Sequence, residues 1–409
     1  MAVHPLMIPA RSRPRRRTGL RVALELVLGL AGCAAAFHLL DPWPSDLVDA
    51  PVLTRLAAEH AFEQAQEAHA ERWAADRRRE AESYLRAARE EHRRQEVLER
   101  FQRDFRTARR LYREAERVAL LARDEAVQRE QQVRGEAIQA IREVTGLVAQ
   151  TDRSAGLARL KGAARRDLEK ARQALAEARL YEQDRDYPKA LDRAHAAREL
   201  AYRVIEAVIE RAGRYADDRQ RHAWRQMVDE TVAWSAQTGL PAIVVSKEAH
   251  EVTLYEAGKP TRVFRADIGR ELVSDKWHAG DAATPEGRYH VTLKKGPKDT
   301  RYYKALLLDY PNQEDRERFE RLKRRGLLPR RASPGGLIEI HGHGGQGRDW
   351  TDGCVALSNG DMDELFDLVP VGTPVTIVGS DGSPGPLSDM IRALRTGIPA
   401  ERRQAPGSN

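Results

Sequence analysis

After Pro51, the stretch from Val52 to Gly239 contains one proline, Pro188, and is rich in Ala, Glu, Arg, Leu and Gln. A segment that long with so few chain breakers can only be largely helical. Leu98, Phe101, Phe105, Ala108, Tyr112, Ala115, Ala119 and Ala122 follow alternating steps of three and four, a heptad seam with small residues suited to close helix pairing. Gly135 and Gly146 are expected to bend or end helices. Leu168, Ala171, Leu175 and Ala178 form one stripe, and Leu191, Ala194, Ala201, Ile205 and Val208 another. Asp184-Arg185-Asp186-Tyr187-Pro188 between them reads as a stop and restart, predicting a helical hairpin. A further helix is expected from Arg214 to Thr238, burying Trp224, Met227, Val228 and Trp234. One straight helix from Pro51 to Val148 would reach roughly 150 Å at 1.5 Å per residue, a stalk; folding back or pairing with a second chain are the alternatives. The expected role of this region is a spacer or homodimeriser, with docking of a cell-wall protein as the rival.

The amino terminus is basic at Arg11, Arg13, Arg15, Arg16, Arg17 and Arg21, and an apolar run, Val22 to Leu40, follows. Its length matches the ~20 residues that span a bilayer, and the flanking charge places residues 1–21 in the cytoplasm. A membrane anchor over 22–40 is the expectation, with the catalytic part on the extracytoplasmic, periplasmic side. A cleaved signal segment competes, and Leu30-Ala31-Gly32-Cys33 is similar to a lipoprotein cleavage box that would lipidate Cys33. The chain carries 69 Lys and Arg against 62 Asp and Glu, a net charge of +7. That mild excess suits solvated helices or an anionic surface, and no basic-aromatic module points to nucleic acid. The second of two cysteines, Cys354, has no sensible disulfide partner in Cys33. An unpaired thiol in an exported protein is expected to be reactive.

After Gly239 the pattern changes from helix to strand. Ala242–Ser246, Glu251–Tyr255 and Thr261–Ile268 read as strands, the last two joined by a turn at Ala257–Pro260. Tyr289–Leu293, Lys304–Leu308, Leu337–Ile340 and Val375–Val378 follow, predicting a mostly antiparallel β-domain. A basic helix, Asn312 to Arg330, is inserted as a surface helix or as a lid for acidic peptide carboxylates. The residues from 380 to 409 are expected to form a flexible tail with one short helix at Leu387–Leu394.

Within this domain, Leu337 to Leu357 reads LIEIHGHGGQGRDWTDGCVAL. A strand delivers His341 into a glycine-rich loop that returns to Cys354. A thiol needs a base to ionise near neutral pH, and an imidazole is the usual one. Gly353 lets the backbone approach closely and aim N–H groups at an oxyanion. Two other readings stand beside this one. His341 and His343 with Asp349, Asp352 or Cys354 form a possible zinc site, and the domain could be an inactive cell-wall scaffold.

His341-Gly342, then Thr351-Asp352-Gly353-Cys354-Val355, resembles the signature of the YkuD-type L,D-transpeptidases. Thr284-Pro285-Glu286-Gly287 upstream and Gly372-Thr373-Pro374-Val375 downstream are similar to two further family segments. The resemblance covers roughly Pro241 to Gly379. It departs at Ala356, where many members carry Arg or Asn. The resemblance implies a YkuD-like catalytic domain (241–379), which joins the N-terminal segment and the helical middle (51–239) read above in a multi-domain chain. It implies peptidoglycan stem peptides as substrate, cleaved before a terminal D-alanine through an acyl-enzyme on Cys354 with His341 as base, and no cofactor. Transfer to an amine makes a transpeptidase, and transfer to water a carboxypeptidase or amidase. Thr351, Asp352 and Gly353 are the expected oxyanion loop, and Gly342, His343, Arg348 and Trp350 the expected substrate contacts.

Overall fold

The computed structural model describes residues 49–383 and 385–399. The candidate anchor at 22–40, Cys33 and the end of the expected tail lie outside the described residues. Among the described residues no helix is long and apolar enough to cross a membrane. The chain forms two compact units, one up to Gly135 and one from Glu136 onward.

The first unit is a folded-back helical cluster. Helices α1 (Val52–Glu67), α2 (Ala70–Trp73) and α3 (Ala75–Glu96) precede a long α4 (Arg106–Leu157), which contributes to both units. The heptad seam is used within the chain. Phe105, Ala108, Tyr112 and Ala115 bury with Ala58, Leu85 and Ala88, and Val118 and Ala119 bury with Ala61 and Ala81. Self-association through this seam therefore loses its exposed face. Leu98 and Phe101 fall outside it, Phe101 being 65% exposed in a 3₁₀ turn. The His92 ring lies edge-on to Phe105 and Tyr112. Gly135 and Gly146 lie inside α4 and do not interrupt it.

In the second unit, α5 (Gly162–Gln183) and α6 (Tyr187–Ala212) form the expected hairpin. Its turn has Arg185 at φ 60° and Pro188 in the first turn of α6. Helix α7 (Asp218–Thr238) ends at Gly239 in the left-handed region, φ 71°, where a side chain would be strained. It buries Trp224 and Val228 as expected, but Met227 and Trp234 only partly.

Eight strands then close a barrel in the order β1-β2-β3-β7-β6-β5-β4-β8. They are β1 (Ala242–Ser246), β2 (Glu251–Glu256), β3 (Lys259–Asp267), β4 (Gly287–Lys295), β5 (Ala305–Leu308), β6 (Glu339–His341), β7 (Val355–Leu357) and β8 (Pro374–Val378). The pairings β1–β8 and β6–β7 are parallel, and the other neighbours are antiparallel. Parallel β6–β7 matters most here, because it sets Ile340 opposite Val355 and His341 opposite Ala356. Three more helices complete the unit: α8 (Gln313–Arg324), α9 (Asn359–Leu368) and α10 (Pro386–Gly397).

Two apolar cores result. One fills the barrel with Ile243, Val245, Leu254, Tyr289, Ile340, Val355 and Ile377. The other lies outside it, where Ile205, Val208, Trp224, Leu387, Ile391 and Leu394 cover Val244, Ile268 and Val378. This second core corrects two expectations. Residues 136–239 pack on the barrel and are no detached spacer. The short helix expected at Leu387–Leu394 is present as Pro386–Gly397, but it is docked and not part of a flexible tail: its first amides, Leu387 and Ser388, both donate 2.9 Å bonds to the buried Glu248 carboxylate. The carboxylate replaces the side-chain cap that this N-terminus otherwise lacks. Ile391→Ala should destabilise the protein by about 2–5 kcal/mol, measured by urea unfolding; an unchanged midpoint would return α10 to the status of a tail.

A buried ionic node joins the layers. Glu286 accepts from Lys247 Nζ at 2.9 Å and Trp224 Nε1 at 3.0 Å, and it pairs with Arg214. Lys247 is 0% exposed. Burial pushes the Glu286 carboxyl up, but Lys247 and Arg214 outweigh it and hold the pKa below the usual value. A carboxyl so depressed stabilises the fold above its unfolded pKa, and that contribution is lost as pH falls through the folded one. Glu286→Ala leaves Lys247 uncompensated and should cost roughly 3–5 kcal/mol, read as a lower urea midpoint at pH 7.

Candidate active site

His341 closes β6, hydrogen-bonded on both sides to β5 and β7, and is 1% exposed. Its ring stacks on Tyr302 at 4.1 Å and meets Trp350 edge-on at 5.9 Å. Nδ1 lies 2.6 Å from the Gly342 carbonyl oxygen. A carbonyl only accepts, so Nδ1 carries the proton and Nε2 keeps its lone pair. Burial pushes the His341 pKa down, against the opposing pull of the Gly342 carbonyl and Glu339. The imidazole is a neutral base held in one tautomer.

Cys354 immediately precedes β7, so the parallel register brings it beside β6. It is half-buried, and its Sγ lies 3.6 Å from the Leu337 carbonyl oxygen. Burial pushes the Cys354 thiol up to about 11; Glu339 and Asp352 add to this, while a Glu339 backbone bond and Lys276 oppose it. The resting thiol is therefore protonated at neutral pH. Leu337, expected to start the strand, has φ 56° and is 72% exposed. A bulky residue there is strained, and the strand begins instead at Glu339.

Cys354 and His341 line one cleft of about 670 Å3. Lys276, Lys295, Asp299, Arg301, Glu339 and Trp350 line it too. Glu339, 5% exposed, pairs with Lys295 at 2.6 Å.

Thr351 behaves as a loop-ordering residue. Its hydroxyl donates to the Cys354 carbonyl at 2.7 Å and accepts from Gly353 N–H at 3.2 Å. That second bond takes the Gly353 amide away from the expected oxyanion set. Gly353 sits at φ 134°, and a Cβ there would lie 2.7 Å from the Ala283 carbonyl oxygen and 3.3 Å from Lys276 Nζ. Glycine is required on both counts. The Asp352 side chain points to Arg270 and is 79% exposed.

The expected substrate contacts divide. Trp350 lines the cleft, its Nε1 bonded to Asp267 at 3.2 Å. Gly342 acts through its carbonyl on His341, and a Cβ on it would meet the Tyr302 carbonyl oxygen at 2.9 Å. His343 and Arg348 are not among the cleft residues. His343 is exposed, its N–H bound to Asn359 Oδ1 at 2.8 Å, and Arg348 bonds Gln346. Among the described residues no group of three or more His, Cys, Asp or Glu is placed to hold a metal ion. No residue of α8 lines the cleft, so the lid reading gains no support.

Two buried carboxylates hold the loop between His341 and Cys354. Asp267 accepts from the amides of Gln346 (2.8 Å) and Gly347 (3.1 Å) as well as from Trp350. Asp349 accepts from His250 Nε2 at 2.9 Å and Arg159 Nη2 at 2.6 Å. The sequence reading passed over Lys276, Glu339, Tyr302 and Asp267. The Asp-Lys ahead of Gly280-Asp281 and the Glu two residues before His341 were the available signals.

With the thiol at about 11, alkylation of Cys354 by iodoacetamide should rise close to tenfold per pH unit from pH 7 and show no plateau below about pH 10. A plateau near pH 7 would contradict this electrostatic picture.

Residues 241–377 match the family model described as YkuD, the L,D-transpeptidase catalytic domain. "Putative L,D-transpeptidase YafK" of Escherichia coli K12 is 33% identical over 95 residues, which are 23% of this chain and 31% of that protein. The match thus spans under a third of that relative's length. "Putative L,D-transpeptidase YqjB" of Bacillus subtilis is 26% identical over 170 residues, 40% of this chain and 86% of the relative. Among solved structures, Bd1075 of Bdellovibrio bacteriovorus is 24% identical at a TM-score of 0.26, covering 38% of this chain and 54% of that one. With its barrel, its His-Gly strand end and its Gly-Cys turn, the segment 241–377 is a YkuD-type L,D-transpeptidase catalytic domain.

Proposed function

We propose that the protein is a cysteine-dependent L,D-transpeptidase acting on peptidoglycan stem peptides outside the cytoplasm. The observation that carries this reading is a His341 whose Nδ1 is tied to the Gly342 carbonyl, which leaves Nε2 the unprotonated nitrogen, in one cleft with Cys354. The family match supports the substrate class. The basic-then-apolar amino terminus supports the location.

Catalysis starts from the neutral pair. Cys354 Sγ attacks the carbonyl carbon of the bond before the terminal D-alanine as His341 Nε2 takes the thiol proton. The tetrahedral oxyanion forms beside the Asp352–Cys354 turn. The C–N bond then breaks, His341 returns the proton to the departing amine, and a thioester remains. An acceptor amine attacks the thioester carbon and loses its proton to His341. The C–S bond breaks, and the proton returns to sulfur. Water in place of the amine gives hydrolysis. Ala356 cannot supply the polar contact that Arg or Asn brings in many family members: it is 0% exposed, within β7 and paired with His341 of β6. Lys276, Lys295 and Arg301 provide cations in the cleft instead.

The test is incubation with muropeptides and mass analysis of products. A new peptide cross-link or amine exchange is expected from the wild type. Cys354→Ala and His341→Ala should each fall to background, because parts of one catalytic unit do not add. His343→Ala should stay within about tenfold of wild type, since a residue outside the cleft does not set the reacting geometry. Loss of D-alanine alone would identify a carboxypeptidase, and an unmodified donor would refute the reading.

A further inference from the structure

Lys276 belongs to no helix or strand and is 4% exposed. Its Nζ donates to Asp281 Oδ1 at 2.8 Å and to the Asp352 carbonyl oxygen at 3.4 Å. An ammonium has three donors, so one remains beyond these two. The same residue lines the cleft with Cys354. The peptide unit just ahead of the Gly353–Cys354 bond is thus held at both ends: Lys276 holds its carbonyl, and Thr351 Oγ1 accepts its N–H. Asp281 in turn fixes the lysine's own loop. It accepts from the amides of Trp277 (2.6 Å), His278 (3.0 Å) and Ala283 (3.1 Å). Arg318, Glu286 and Asp275 sit one layer behind: Asp275 Oδ1 accepts the Lys276 amide at 2.6 Å and the Glu286 amide at 2.8 Å, and Asp275 pairs with Arg318 at 3.1 Å. A buried charge is costly to keep, and this one is held against the turn that carries Cys354.

We propose that Lys276 is an electrostatic positioning residue for Cys354: its charge fixes the Asp352–Gly353 peptide and stabilises the negative charge that sulfur acquires when it loses its proton. This rests on the reading of Cys354 as nucleophile. The other charged groups around the thiol are Glu339 with its partner Lys295, Asp352 with its partner Arg270, Asp281, and Asp299 and Arg301 across the same cleft. His341 faces the same cleft and receives the proton. Carboxylates therefore oppose thiolate formation, and Lys276 is the cation that touches the cysteine's own turn. The Gly353 amide is already engaged by Thr351, which leaves more of that work to the lysine.

The test needs no peptidoglycan, so its outcome is independent of the substrate assignment. Alkylation of Cys354 in the full chain by iodoacetamide forms an S–C bond, expels iodide and releases the thiol proton. It is followed against pH by the mass of the peptide carrying Cys354. Lys276→Met keeps the apolar stem and removes the charge. It should slow alkylation about tenfold at pH 8 and displace the profile upward by about one pH unit. Lys276→Arg should recover most of that loss. Asp281→Asn supplies the opposite sign: it removes a negative charge and keeps the lysine, so alkylation should quicken if charge is what matters. A purely structural lysine predicts instead that Asp281→Asn slows alkylation just as Lys276→Met does. That result would overturn the proposal, as would an unshifted profile in Lys276→Met. Circular dichroism and Tm on each variant separate these outcomes from unfolding, and a Lys276→Met that does not fold leaves the sign of the Asp281→Asn effect to decide.

Discussion

The Glu286 carboxylate is the interaction on which the second unit depends. It takes Lys247 from the end of β1, Arg214 from the 3₁₀ turn after α6 and Trp224 from α7. Its own amide donates to Asp275, which also holds the amide of Lys276 and pairs with Arg318 of α8. Burial and the neighbouring Glu286 charge raise Asp275 to about 6. Apolar packing tolerates small displacements, but charges removed from water tolerate few arrangements, because each needs its partner in place. One glutamate in a turn motif therefore sets helix position, barrel position and the loop beside Cys354 together.

The resting chemistry at the site follows from burial. Many reactive cysteines are kept as thiolates by a helix N-terminus or a nearby cation. Here the thiol is pushed up to about 11 and the imidazole is pushed down. Both groups rest uncharged. Oxidation acts on the thiolate, so the burial that favours the neutral thiol also slows its oxidation.

The strand order of chemistry was legible from residue patterns, because period-two runs and glycine punctuation are local. Ala242–Ser246 was found with its observed bounds, and Gly239 marked the end of α7. His341 and Cys354 stood out through the strand end, the glycine-rich loop and the Gly-Cys pair. What failed was tertiary. The Phe105–Ala122 seam looked like a dimer stripe because nothing in a heptad says whether the partner helix lies in the same chain. The short helix after Gly379 was legible but looked undocked because Gly, Ser and Pro surround it, while its partner lies far away in sequence at Glu248. The sequence also does not say which side of the loop faces the cleft: with Asp267 and Asp349 holding that loop, Trp350 lines the cleft and His343 and Arg348 do not.

That fixed loop changes what the helical residues after Glu136 are for. Arg159, just past α4, bonds both Asp349 in the catalytic loop and the carbonyl of Arg270. Arg211 of α6 pairs with Glu271 at 2.6 Å, and Tyr215 donates to the Leu272 carbonyl at 3.0 Å. These contacts brace the 268–272 segment, whose Gly269 bridges to Thr351. Thr351 in turn orders the turn that carries Cys354. A side chain held at the end of such a chain is placed by packing several layers deep, and site geometry is sensitive to displacements of about 1 Å. The helices from Glu136 to Gly239 are therefore part of the packing that positions Cys354, although no side chain in them lines the cleft.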